Sequence, residues 1–156
     1  KMIGAKVIAT SSSDDKIKRL YELGADHCIN YKKTSEWGKA VLDFTNGQVV
    51  DYVVDVGGPN TINHSLTACK VNGHISFIGI LSGLDGKLDM INLLLKQIKI
   101  QGVLVGSRQH QINMINKINQ HQFKPVVDKV FPFDSLIDAF KYQESNQHFG
   151  KICIQY

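Results

Sequence analysis

Short apolar runs rich in Val and Ile recur along the chain, separated by stretches whose apolar residues fall at helical spacing. The first run, Lys6–Thr10 (KVIAT), predicts a strand buried on both faces. Ser13 is placed to cap a helix with Asp14 and Asp15 in its first turn, where the backbone dipole favours acids. Ile17, Leu20 and Tyr21 form the inner face of that helix, and Gly24 ends it. A short strand at His27–Tyr31 follows, then a helix near Ser35–Thr45 with Trp37, Ala40, Val41 and Phe44 on one side, then a turn at Asn46-Gly47. Val49–Val56 (VVDYVVDV) is the strongest strand. After it the pattern predicts a helix near Asn60–Lys70, a turn at Asn72-Gly73 and a strand at His74–Leu81. A short helix at Ile91–Gln97, a strand at Ile98–Val105 and a helix marked by Ile112, Ile115 and Ile118 complete this part.

Strands alternating with helices imply right-handed crossovers and a parallel sheet, an α/β fold of the doubly wound Rossmann type. Around Pro125 the character changes. Val126–Phe131, a helix at Ser135–Gln143 and a strand at Lys151–Gln155 read as a separate tailpiece that need not belong to that sheet.

Composition narrows the picture. With 156 residues, 43% hydrophobic and 21% charged, the chain has the size and balance of a soluble globular domain. Its net charge of +4 is spread out, without a basic run, so no nucleic-acid partner is expected. Cys28, Cys69 and Cys153 show no CxxC spacing and read as small hydrophobic residues in a reducing compartment. No apolar run has the length of a membrane span and no signal peptide opens the chain, so the expected location is the cytoplasm. The six histidines lack HxH or HExxH spacing, which gives no metal-ligating set, and no GxSxG or His/Cys pairing marks a nucleophile.

In an open parallel sheet, ligands lie at the carboxyl ends of the strands. The residues there are Ser11-Ser12-Ser13, Tyr31, Gly57-Gly58-Pro59, Gly79 to Leu81, and Gly106-Ser107, most of them Gly or Ser. A sheet that binds NAD usually ends its second strand with an acid on the ribose 2′-hydroxyl, a place held here by Ser11. A carboxylate repels a 2′-phosphate, whereas hydroxyls donate to it. Ser11, Ser12, Lys16 and Tyr31 therefore suit NADP better than NAD, which stays the alternative. The competing reading makes Ser13 a helix cap only and Lys16 a solvated surface lysine. Asp51 and Asp55, four apart on one strand, share a face; Asp55, near the strand end, has two readings, a group pointing at the cofactor crevice and, favoured over it, an ordinary polar group at the end of a buried strand.

The runs GAKVIATSSSDDK, ELGADHCINY, VVDYVVDVGGP, GHISFIGIL and ESNQHFGKICI together resemble the medium-chain dehydrogenase/reductase superfamily of zinc-type alcohol dehydrogenases and quinone oxidoreductases. The resemblance covers essentially the whole chain, and LGAD…INY and HFGK are its more specific parts. It implies that residues 1–120 are most of a Rossmann domain, without its first strand and glycine-rich phosphate turn, and that residues 121–156 return to a GroES-like catalytic domain. The sequence is then expected to be a truncated piece of a longer enzyme, inactive alone, with any zinc in the N-terminal domain it lacks. The missing strand would leave unpaired edges on its neighbours. Residue by residue, the resemblance implies that Ser11, Ser12, Lys16 and Tyr31 hold the adenosine 2′-phosphate end. Val56, Gly57 and Gly58 line adenosine and ribose, and Gly79, Ile80 and Leu81 lie near the nicotinamide ribose. Val105, Gly106 and Ser107 meet the nicotinamide amide through backbone groups, and Lys151 reaches back towards the cofactor. None is a catalytic acid or base. The implied activity is hydride transfer between NADP and a small alcohol or carbonyl, in a homodimer joined through Ile98–Val105. A zinc-free NADPH-dependent quinone or enone reductase and a non-catalytic nucleotide-binding module are the alternatives.

Overall fold

The computed structural model describes residues 1–156. Strand β1 (Ile8–Ser11) pairs in parallel with β2 (His27–Asn30), and α1 (Asp14–Glu22) makes the crossover between them. Helix α2 (Trp37–Phe44) leads to β3 (Val50–Asp55), and α3 (Ile62–Ala68) leads to β4 (Cys69–Phe77). Helix α4 (Met90–Lys96) then leads to β5 (Lys99–Gly102). The order β3-β4-β5 is parallel throughout. These pairings are those of the doubly wound α/β fold, in which β1 and β3 are the two strands that flank the first strand of the sheet. Here β1 pairs only with β2 and β3 only with β4, so each has one open edge.

Two apolar clusters hold this part together. Ile62, Leu66, Cys69, Ile75 and Ile98 form one, on the helix side of β3-β4-β5. Ile29, Val41 and Ala68 form the other, with Ile8, Trp37, Ala40 and Val50 around them, so α2 and α3 tie the β1-β2 pair to β3. Strand β1 is half-buried, contrary to the expectation of two covered faces, and β3 is exposed on one face. Tyr52 is 73% exposed and Val54 69% exposed, while Val53 between them and Asp55 after them face inward. An apolar run cannot say how many layers this chain supplies to cover it.

Several boundaries moved for local reasons. Helix α3 is shorter than its apolar pattern because Lys70 belongs to β4. The Asn72-Gly73 turn forms inside that strand. Opposite β3 the register jumps from Cys69 to His74, so Lys70–Gly73 loops out, with Asn72 at φ +58°. Strand β4 ends at Phe77, four residues before Leu81, and its last bond to β3 runs from the Ile78 N–H to the Asp55 carbonyl at 2.8 Å. Lys96 Nζ donates to the carbonyls of Leu66, Thr67 and Cys69 at 2.8–3.0 Å, satisfying acceptors that the end of α3 leaves open. Partial burial lowers the pKa of that ammonium.

The chain divides into two compact units, Lys1–Val105 and Gly106–Tyr156. The second contains α5 (Arg108–Gln120), β6 (Val127–Pro132), α6 (Leu136–Glu144) and β7 (Lys151–Gln155). Strands β6 and β7 form their own parallel pair. Phe131 and Ala139 are its buried apolar residues, and Tyr142 Oη donates to Asp128 at 2.7 Å. No helix is long and apolar enough to cross a membrane.

Candidate functional site

The expected site residues of the first unit gather at the carboxyl ends of its strands, in two groups of different construction. One group crowns β1 and β2. Ser11 is the last residue of β1, and its carbonyl accepts from the Tyr31 N–H at 3.0 Å, which puts Tyr31 beside it. Ser13 caps α1 as expected, its hydroxyl accepting from the Lys16 N–H at 3.3 Å. That cap aims the first turn of α1 at the strand ends and carries Lys16 there. Ser11, Ser12 and Lys16 are half-buried and Tyr31 is exposed. Beyond them Asp14 accepts from Asn30 Nδ2 at 2.7 Å and from Lys33 Nζ at 2.5 Å. The Lys33 ammonium, with the Asn30 amide after it, holds this carboxyl below its ordinary range. The crown is therefore rich in hydroxyls and cations, and its near carboxylate already has a cation of its own.

The second group lies after β3 and β4. Asp55, 4% exposed, organises it. One carboxylate oxygen accepts from the N–H groups of Gly57 and Gly58 at 2.9 and 3.0 Å and from the Thr61 hydroxyl at 2.6 Å. The other accepts from the Ser65 hydroxyl at 2.6 Å. The Gly57 carbonyl accepts from both the N–H and the hydroxyl of Ser82, each at 2.8 Å, which stitches the loop after β3 to the loop after β4. Asn60 adds a second stitch, its N–H reaching Ser82 Oγ at 3.0 Å and its side chain the Ser82 carbonyl at 3.1 Å. The two backbones approach so closely that only glycine fits. Gly58 sits at φ +93°, and a Cβ there would lie 2.9 Å from both the Gly79 carbonyl and the Ile80 Cα. A Cβ on Gly79 would run into the Val56 carbonyl.

Val56, Gly57, Gly58, Gly79, Ile80 and Leu81 are thus brought together as one surface. Its chemistry is specific. The Gly57 and Gly58 amides point inward to Asp55, so this turn offers no N–H pair to a phosphate. What it presents is apolar: Val56 is half exposed, as is Ile80, and Leu81 is almost fully so. Such a surface suits the flat faces of a sugar or base.

The remaining expected residues belong to the end of the first unit and to the second. Val105 is exposed at the end of the first unit. Gly106 and Ser107 open the second, where Ser107 caps α5: its hydroxyl accepts from the His110 N–H at 3.2 Å and its own N–H donates to His110 Nδ1 at 3.3 Å. Lys151 begins β7 with an exposed side chain, its N–H bonded to the Val126 carbonyl at 2.8 Å. Asp51 and Asp55 do not share an environment, since Asp51 is exposed and paired with Lys70. The irregularity between Val50 and Tyr52 breaks the simple alternation that put them on one face.

Asp55 and Ser82 are the residues that sequence reasoning undervalued. For Asp55 a local signal existed: an Asp before Val-Gly-Gly can accept from the amides two and three residues on. Ser82 carries none, because its partner is twenty-five residues away. No three His, Cys, Asp or Glu side chains converge in an arrangement that could hold a metal ion. All three cysteines are free thiols, with Cys28 and Cys69 buried and their pKa raised by that burial.

Residues 1–120 match the family described as zinc-binding dehydrogenase. A zinc-type alcohol dehydrogenase-like protein of Schizosaccharomyces pombe is 40% identical over 157 residues, covering 97% of this chain and 45% of that protein. A 2-haloacrylate reductase of Burkholderia is 28% identical over 166 residues, 97% of this chain and 48% of its own length. The crystal structure of an NAD-dependent alcohol dehydrogenase superposes with a TM-score of 0.88 at 32% identity, over 98% of this chain and 44% of that one. The chain spans just under half the length of the proteins it matches.

Proposed function

The chain belongs to the zinc-binding dehydrogenase family, and from that premise we propose that it is the cofactor-binding part of an NADP-dependent oxidoreductase acting on a small alcohol or carbonyl. Residues 1–120 form its Rossmann portion in this reading, and residues 121–156 return to a catalytic domain. The observation that carries it is the crown of β1 and β2. Ser11 ends the strand where an acid would meet the ribose of NAD, with Ser12, Lys16 and Tyr31 beside it. Asp14, whose charge would otherwise oppose a phosphate, is neutralised by Lys33.

The donor set fits the dinucleotide in its parts. Hydroxyls and an ammonium suit a 2′-phosphate, and the apolar wall of Val56, Ile80 and Leu81 with Gly57, Gly58 and Gly79 suits ribose and base. Val105, Gly106, Ser107 and Lys151 are the residues that the resemblance assigns to the nicotinamide end. The Ser107 N–H is already used in capping, which leaves its carbonyl and the backbone of Val105 and Gly106 for the amide. When bound, the cofactor supplies the hydride chemistry, and these residues grip and orient it. Zinc enters this reading only as the resemblance implies it, in a catalytic domain. The likeness to a 2-haloacrylate reductase favours a second reading, an NADPH-dependent enone or quinone reductase. A cytoplasmic homodimer joined through the open edge of β5 completes the proposal.

Titration calorimetry of the intact protein with NADPH and NADH tests it. Binding of NADPH at least about tenfold tighter than NADH is expected, since a paired phosphate supplies charge-assisted bonds. No affinity for either nucleotide overturns the cofactor reading. A preference for NADH, as the name of the superposed dehydrogenase would suggest for that protein, overturns the NADP assignment alone.

A further inference from the structure

The geometry points to Asp55 as a positioning residue for the cofactor surface, one that never touches the cofactor and sets how tightly it is held. The inference rests on the cofactor reading above and goes beyond it, because Asp55 lies beneath the surface and not on it.

The argument starts from the division of labour between its two oxygens. Oδ2 serves the fold: it accepts only from Ser65, inside α3. Oδ1 serves the loop, accepting from Gly57 N–H, Gly58 N–H and the Thr61 hydroxyl. Three donors on one carboxylate oxygen leave the Gly57-Gly58 turn little freedom. Both amides must face inward, so the turn shows the ligand its Cα atoms and the neighbouring apolar side chains. The Gly57 carbonyl shares one planar peptide with the Gly58 N–H, so an inward Gly58 amide fixes where that carbonyl points, and that carbonyl is the acceptor for Ser82. Asp55 thereby governs the loop after β4 as well, which it reaches only through its own main-chain carbonyl at Ile78 and Gly79. A neutral oxygen would make the same bonds more weakly, since hydrogen bonds to a charged acceptor are about twice as strong. A turn held this firmly meets its ligand already ordered, so binding loses less to ordering it.

A purely structural role predicts a different pattern, and three variants of the intact protein separate the two. Asp55→Ala frees the three loop donors and is expected to weaken NADPH binding by about tenfold. Asp55→Asn keeps an oxygen for the loop and an amide that the Ser65 hydroxyl can accept from, and is expected to recover most of that loss. Ser65→Ala removes the fold-side bond only: the midpoint of unfolding should drop while NADPH affinity stays within about twofold. In parallel, amide hydrogen exchange should quicken in Asp55→Ala at residues 57–61 and also at 78–83, and in Ser65→Ala at neither.

Asp55→Ala binding as tightly as the parent overturns the inference. So does Ser65→Ala weakening binding as much as Asp55→Ala, because a general loss of stability then accounts for both. If Asp55→Ala does not fold, Thr61→Val, which takes one donor from the same oxygen, decides in its place: about threefold weaker binding supports the inference and unchanged binding overturns it. If the unsubstituted protein binds neither NADPH nor NADH, the cofactor reading falls. The exchange measurement then still judges the coupling of the two loops, which fails if 78–83 is unaffected by Asp55→Ala.

Discussion

The two groups of residues at the strand ends are built on opposite plans. After β3 and β4 the backbone is knit shut: amides are turned in to a buried carboxylate, two loops are stitched at Ser82, and glycines sit where any side chain would collide. Around β1 and β2 the surface is open, made of hydroxyls, a lysine and an ion pair in solvent. The first plan creates shape in advance of any ligand and offers little charge. The second offers charge and hydrogen bonds with little rigidity. Shape without charge suits parts common to all dinucleotides, whereas exposed charge suits the one group that distinguishes NADP from NAD. Affinity and selectivity would then reside in different places, and the two can be disturbed separately.

The largest expected effect tests the knit half. Gly79→Ala puts a methyl group against the Val56 carbonyl, and such overpacking should cost about 1–3 kcal/mol of stability, read from denaturant unfolding. Ser12→Ala in the open half should cost less than about 0.5 kcal/mol. Equal losses would erase the contrast between the halves.

Next comes selectivity. Lys16→Ala should weaken NADPH binding by about tenfold and leave NADH within about twofold, because only the former carries the phosphate. Calorimetry with both nucleotides checks this, and a parallel loss for NADH would assign Lys16 to shape. The smallest effect concerns Asp14. Its folded-state pKa lies below the unfolded one, so its contribution is present above the unfolded value and disappears as pH falls through the folded value. Asp14→Asn should therefore slightly flatten the acid side of the stability profile and leave the neutral side nearly parallel to the parent. Unfolding midpoints measured from neutral pH down through the carboxylate range would show it, and a change on the alkaline side would point to another group.

Legibility in the sequence followed the range of the interactions. Helix α1 was readable to its cap because Ser13 bonds an amide three residues on. Strand β7 was readable to its ends, as a short apolar run behind a glycine with φ +99°. Strand β4 was misjudged at both ends, since its limits depend on pairing with β3 and on the Asp55 carbonyl. The crown residues could be named because each lies at a strand end or in the first turn of the helix after it. Asp55 was visible as a residue, but its weight was not, because burial and four partners cannot be read from a position in a run.

The order of strands and helices, the α/β class and the Ser13 cap follow from local chemistry: periodicity, turn residues and neighbours a few positions apart. Which glycines must be glycine, which carboxylate is buried, which way the Gly57 and Gly58 amides point and which loops are joined were decided only in three dimensions. Those properties depend on groups such as Gly57 and Ser82 or Gly58 and Gly79, which lie twenty or more residues apart and meet only after the parallel strands have aligned.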